Sequence, residues 1–254
     1  MLRLVKEDRK NEDTSAPDLL EIGSCGLHVI HGAFGTGQRS TKWKLGKSLK
    51  AFYTFFKMSP ARRADYLEIN GLADSHAGKK MGHLFPKKYC GHRWLENVSV
   101  MSRIIQIFPN LKKFVAEFKS PPETKTFETI KSALCDPMFL PMLEFSRSLA
   151  MELEQFLTVF QAEKPLSVFI YEKLKEVLYD LHTRIIKPGV LDENSTVVKL
   201  LSLDLSKEEN LLSPAPVKIG FGAETTLKKL PTLNQMEVRK FRKAVRNVII
   251  KLMY

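Results

Sequence analysis

The chain has 254 residues, 44% of them hydrophobic, which suffices for one large domain or two ordinary ones and excludes a disordered chain. No apolar run approaches the roughly 20 residues that a bilayer crossing needs, and residues 1–17 alternate charge without the apolar centre of a signal peptide, so no membrane partner is expected. The net charge of +12 is unevenly placed: thirteen Lys or Arg face three acids between residues 39 and 94, six face Glu237 alone between 232 and 254, and the remainder is close to neutral. Two basic zones on a balanced chain point to an anionic partner, with solvated Lys-rich helix faces as the plain alternative.

Residues 1–15 read as a solvated, disordered tail. Gly23, Gly26, Gly32, Gly35 and Gly37 make 23–37 a glycine-rich passage in which helix is not expected, because each glycine costs about 1 kcal/mol relative to alanine. A short strand or helical turn over 19–30, then a loop, is the expectation; the passage lacks both a phosphate-loop lysine and the strand-then-helix dinucleotide pattern. A helix follows over about 40–57, with Leu45, Leu49, Phe52 and Phe56 on one face and Lys47, Lys50 and Lys57 opposite. Ser59-Pro60 is a restart signal, serine as N-cap and proline in the first turn, and the next helix runs to about 69. Residues 70–80 read as a loop and 83–89 as a short strand leading into Cys90-Gly-His92-Arg93-Trp94.

Beyond Trp94 the helical period persists. Val100, Ile104, Ile107 and Phe108 share a face, and a helix from Pro109 to about 119 carries Leu111, Val115 and Phe118. Pro121-Pro122 is a hard break. Helices over 126–134, 139–161 and 166–186 follow, separated by prolines, and short Pro-marked turns favour antiparallel packing. Residues 197–205 fit strand or helix equally, and two further helices are expected over 217–230 and 236–253.

The last of these separates its residues cleanly: Phe241, Val245, Val248, Ile249 and Leu252 on one stripe, Arg239, Arg242, Lys243 and Arg246 on the other. Such a helix tracks phosphates, lies on an anionic membrane, serves as a partner peptide, or packs on a core with a soluble outer face. Cys25 and His28 have the spacing of a zinc half-site, and Cys90 with His92 would supply the other half, but the two pairs share no recognised finger spacing. Three cysteines without scaffold spacing indicate a reducing compartment, nuclear or cytoplasmic. No Gly-x-Ser-x-Gly elbow, His-Glu-x-x-His or paired-carboxylate set is present. Arg93-Trp94 joins a fork-shaped cation to a large stacking surface, suited to a phosphate or a base, or alternatively to anchoring a domain corner.

Cys25-Gly-Leu-His28, followed by Val29-Ile30-His31-Gly32, resembles the CxxH motif of hAT-type DNA transposases, and Arg93-Trp94 opening a helical run resembles their Arg-Trp motif. The phrases IGSCGLHVIHGAF, SPARR, KYCGHRW and EKPLSVFIYEKL are similar to those of animal proteins derived from such elements, and the likeness runs from about Asp18 onward. The resemblance implies a mainly α fold, a helical insertion-type domain attached to a partial RNase H-like α/β core, divided as tail 1–15, core 16–94, helical insertion 95–190 and C-terminal helical segment 191–254. The family's catalytic acids have no counterpart: two aspartates belong upstream of the CxxH motif, the late glutamate cannot be placed, and no BED zinc finger is present, so a truncated chain is implied. Cys25, His28, Arg93 and Trp94 carry over and no catalytic residue does. Because strand transfer needs metals held by those carboxylates, the reading is of a non-catalytic, transposase-derived protein without cofactor or small-molecule substrate. It binds DNA or assembles through Lys47, Lys50, Arg62, Arg63, Arg93, Trp94, Arg239, Arg242, Lys243 and Arg246. The alternative is a helical protein–protein or self-association module without nucleic-acid binding.

Overall fold

In the computed structural model, which describes residues 26–72, 81–160, 169–192, 194–230 and 233–254, helix forms first where glycine argues against it. Gly26–Arg39 is one α-helix, α1, in place of the short strand or helical turn and the loop expected there. The reason lies in its contacts. A Cβ on Gly37 would stand 2.7 Å from the Val248 carbonyl oxygen, and one on Gly35 2.9 Å from the Trp94 ring. The glycines let α1 seat its backbone directly on the last helix and on the Trp94 turn, and burial outweighs their low helix propensity. Ser40 and Thr41 end α1 by donating to the carbonyls of Gly37 and Gln38.

Helix α2, Leu45–Lys57, buries the expected Leu45, Leu49, Phe52 and Phe56 together with Phe55. Helix α3, Pro60–Ile69, starts as the sequence predicts: Ser59 accepts from the Arg62 amide, with proline in the first turn. Arg62 and Arg63 then reach back, donating to the carbonyls of Phe55, Phe56 and Lys57 at 2.8–3.3 Å. They cap the exposed carbonyls at the end of α2, the favourable site for a cation on a helix. Their guanidinium groups also lie over the rings of Phe55 and Phe85. The strand expected over 83–89 is not formed: Met81–Leu84 is a 3-10 turn followed by irregular chain.

Helix α4 runs unbroken over Val98–Glu117 through Pro109, where a helix start was expected. Proline removes one backbone hydrogen bond and tends to kink or break a helix. Here its ring is on the exposed side, while Ile104, Ile107, Phe108, Leu111 and Phe114 bury both halves of the same face. Helix α5, Lys125–Cys135, is capped by Thr124 accepting from the Phe127 amide, and α6, Phe139–Phe160, is the longest. Helix α7 is Ile170–Thr183, α8 Val197–Ser202 and α9 Phe221–Lys228. Helix α10, Gln235–Met253, opens with a full capping box between Asn234 and Glu237.

Helix α10 packs along α1, α2 on α5, α4 on α6, and α9 on α6. One continuous buried cluster runs from Phe34 in α1 to Leu252 in α10, crossing all three expected segments. Its centre is aromatic: Phe55, Phe56, Tyr66, Phe85 and Phe114 stand ring to ring at 5.1–6.1 Å. The protein is mainly helical, and among the described residues no strand forms. An RNase H-like α/β core is therefore not shown, the described part of 16–94 being helices and turns. No helix among the described residues is long and apolar enough to cross a membrane. The expected tail and Cys25 lie outside the described residues.

Candidate nucleic-acid interface

The basic residues singled out in the sequence separate into two groups once the chain is folded. One group is consumed internally. Arg62 and Arg63 hold the end of α2. Arg246 is buried, 3% exposed, and donates to both carboxylate oxygens of Glu208 and to the Leu212 carbonyl at 2.7–2.9 Å. Arg242 donates to the Val217 carbonyl and to Glu224, each at 2.7 Å. These two arginines therefore fasten α10 to the irregular chain before α9 and to α9 itself, and the uniform outward basic stripe expected on α10 is not what forms. Only Arg239 and Lys243 of that set remain exposed. Arg93 is exposed and pairs with Glu96 at 2.9 Å, one turn along.

The Cys90–Trp94 corner owes its shape to Asn97, which is 2% exposed. Its side-chain amide donates to the carbonyls of Cys90 and Trp94, and its oxygen accepts from the Cys90 amide at 2.8 Å. Cys90 and His92 approach to 3.9 Å, and His28 is exposed. His31 is buried where the Leu95 amide donates to its Nδ1 at 3.4 Å, and burial holds the imidazole below its ordinary range. Among the described residues no three of His, Cys, Asp and Glu converge to hold a metal.

The second group gathers at the α1–α2 connection, where Trp94 and Trp43, the chain's two tryptophans, come to one place. Trp43 stands on the core, edge-on to Phe145 and 5.5 Å from the Phe241 ring. Trp94 stands on Tyr89, with the Arg39 guanidinium 5.8 Å from its ring. Between them lies a cavity of about 250 Å³ walled also by Gln38, Arg39, Lys44 and Lys47, with no acidic residue in its lining. It shares Trp43, Lys44 and Lys47 with a broader groove of about 780 Å³ that adds Lys42 and Lys125. Glu123, Glu128 and Asp136 border that far end, so the positive field is strongest at the tryptophans. Lys50 is exposed on α2 but is not in this lining.

Lys44 is distinctive in its backbone as well as its charge. With φ 53° and ψ 27° it is left-handed, the one non-glycine with positive φ among the described residues. Such conformations cost about 1–2 kcal/mol for an L-residue and gather at functional sites. It is also the N-cap of α2 and caps nothing with its side chain. The sequence reading named Lys47 and Trp94 here but missed Arg39, Lys42, Trp43 and Lys44. The run Arg39-Ser-Thr-Lys42-Trp43-Lys44, cations around one aromatic, carried the signal.

No family model matches this chain, and no curated protein or solved structure is significantly similar to it.

Proposed function

We propose that this chain is a non-catalytic DNA-binding protein of hAT-transposase descent that holds the phosphate backbone along the groove running from Trp94 to Lys125. The observation that carries this reading is the acid-free meeting of Arg39, Lys44 and Lys47 between two core-anchored tryptophans. Cations lining a groove neutralise backbone phosphate charge, and aromatic faces beside them take bases without regard to sequence. The descent rests on the CxxH and Arg-Trp phrases. It would make residues 16–94 a reduced remnant of an RNase H-like core, and a DNA partner would place the protein in the nucleus.

The test is fluorescence anisotropy with labelled DNA across a salt series. If Arg39, Lys42, Lys44 and Lys47 each neutralise one charge of the DNA backbone, log affinity falls against log salt with a slope of about −3.6 on duplex DNA and about −2.8 on a single strand. K44Q/K47Q then flattens the slope by about 2, whereas K112Q/K113Q on the outer face of α4 leaves it unchanged. Absence of binding at low salt sinks the reading.

One observation favours the alternative of a protein-binding module. The first turn of α7 and the residue before it expose Phe169, Ile170 and Tyr171 at 41–57%. They lie at the start of the helix that walls, with α6, a cavity of about 270 Å³ lined by Phe156, Val159 and Val177 and bordered by Glu152, Glu176 and Asp180. Association that persists at high salt and is lost in F169S/Y171S would support that alternative.

A further inference from the structure

The narrow end of the groove has features that a row of backbone-tracking lysines does not require. Helix α2 opens without a side-chain cap, so by helix geometry its first amides, Leu45 and Gly46, have no intrahelical acceptor. Both residues are in the cavity wall. A helix start of this kind carries about half a positive charge and favours an anion. A separate observation concerns Gln38. It is 8% exposed and walls the same cavity; its Oε1 accepts from Ser146 at 3.1 Å, while its buried Nε2 has no partner. A buried amide donor left open costs about 1–3 kcal/mol unless an acceptor reaches it. Around these donors stand Arg39, Lys44 and Lys47, a formal +3 with no acid in the lining. At about 250 Å³ the cavity is smaller than the roughly 300–1,000 Å³ of whole-ligand sites, which suits a group and not a cofactor.

We infer that this cavity is a binding site for a terminal phosphate monoester, the 5′-phosphate of a nucleic-acid strand, held by the α2 amides, Gln38 and the three cations. A monoester carries close to two charges at pH 7 and three free acceptor oxygens, whereas a backbone diester carries one charge. Donors lining one small cavity suit the former, and lysines spread along the groove to Lys42 and Lys125 suit the latter. The inference rests on the groove reading for its strand, but the pocket is testable without it.

The experiment compares 5′-phosphorylated and 5′-hydroxyl oligothymidylate, labelled at the 3′ end, by anisotropy at fixed ionic strength. Intrinsic tryptophan fluorescence follows inorganic phosphate and thymidine 5′-monophosphate, since both tryptophans border the cavity. Tighter binding of the phosphorylated strand by about tenfold is expected, fading below pH 6 as the monoester loses its second charge. Inorganic phosphate should compete that excess away, and K44G, which suits the left-handed backbone while removing a cation, should abolish it without lowering the melting temperature. Q38M tests the amide separately. Equal affinity of the two strands overturns the phosphate site and leaves the groove standing. A fluorescence response to phosphate monoesters with no affinity for the hydroxyl strand keeps the site and overturns the groove. A tenfold preference that survives in both K44G and Q38M overturns the assignment of these residues.

Discussion

Two glycines in one helix should respond to alanine in opposite ways. A Cβ on Gly32 meets nothing within 4 Å, whereas a Cβ on Gly37 meets the Val248 carbonyl oxygen at 2.7 Å and Val248 Cγ1 at 3.2 Å. G32A gains the helix propensity of alanine in the middle of α1, about 0.8–1.0 kcal/mol. G37A gains less of it, being in the last turn, and must push α1 away from a backbone atom of α10. That atom cannot move without carrying Val245, Val248 and Ile249, all fully buried, out of the core. Overpacking of this kind costs about 1–3 kcal/mol. For a chain of this length each kcal/mol moves the midpoint by roughly 2–4 °C. G32A should therefore melt a few degrees above the unsubstituted protein and G37A below it, in thermal unfolding followed by far-UV circular dichroism. If G37A melts at or above G32A, α1 does not seat on α10 through Gly37, and the explanation of helix in a glycine-rich passage fails with it.

K44G should melt at or above the unsubstituted protein: relief of about 1–2 kcal/mol of left-handed strain outweighs or balances glycine's entropic penalty of about 0.5–1 kcal/mol. A loss of several degrees would show that the side chain of Lys44 supports the fold. At the other end of the molecule, E208A should destabilise more than R246M, although Glu208 is the exposed partner, because it strands a buried guanidinium; equal midpoints in urea would refute the asymmetry. His182 is buried, and burial holds its pKa below the ordinary value of about 6.5. In the window below 6.5 the unfolded chain takes up a proton that the folded chain refuses, so stability falls as pH falls through it. Urea midpoints between pH 7.5 and 5.5 should drop in the unsubstituted protein and drop less in H182Q; parallel slopes would remove His182 as a cause.

What was legible in the chain was whatever a local period decides. Helix α6 begins at the expected Phe139 and continues to Phe160, the last described residue there, because an apolar stripe at helical period needs no knowledge of distant chain. The Ser59-Pro60 start was legible for the same reason, since its N-cap bond spans three residues. Helix α1 was not, because its glycines have two physical meanings. Alone they lower helix propensity; against Trp94 and Val248 they permit an approach that no other residue allows, and only the folded partner chooses between them. Pro109 was ambiguous likewise: burial on both sides of it keeps one helix where the local rule predicts a boundary.

The same distinction decides which charges can reach a ligand. In sequence Arg242 and Arg246 look as free as Lys44, and the final helix looks like a basic surface. Their acceptors, Glu224, Val217, Glu208 and Leu212, lie 18–38 residues away along the chain, so their loss to the fold has no local trace. Lys44 shows the reverse. Its left-handed backbone is a cost that the tight α1–α2 connection imposes, and the residue there is not the glycine that would remove it. A lysine at such a position is physically sensible when its charge is needed at that point, beside an uncapped helix start and an unpaired buried amide. Where a cation stands therefore says less about binding than whether the fold has already spent it, and on that criterion the α1–α2 cavity, not the basic final helix, is the place to look for this protein's ligand.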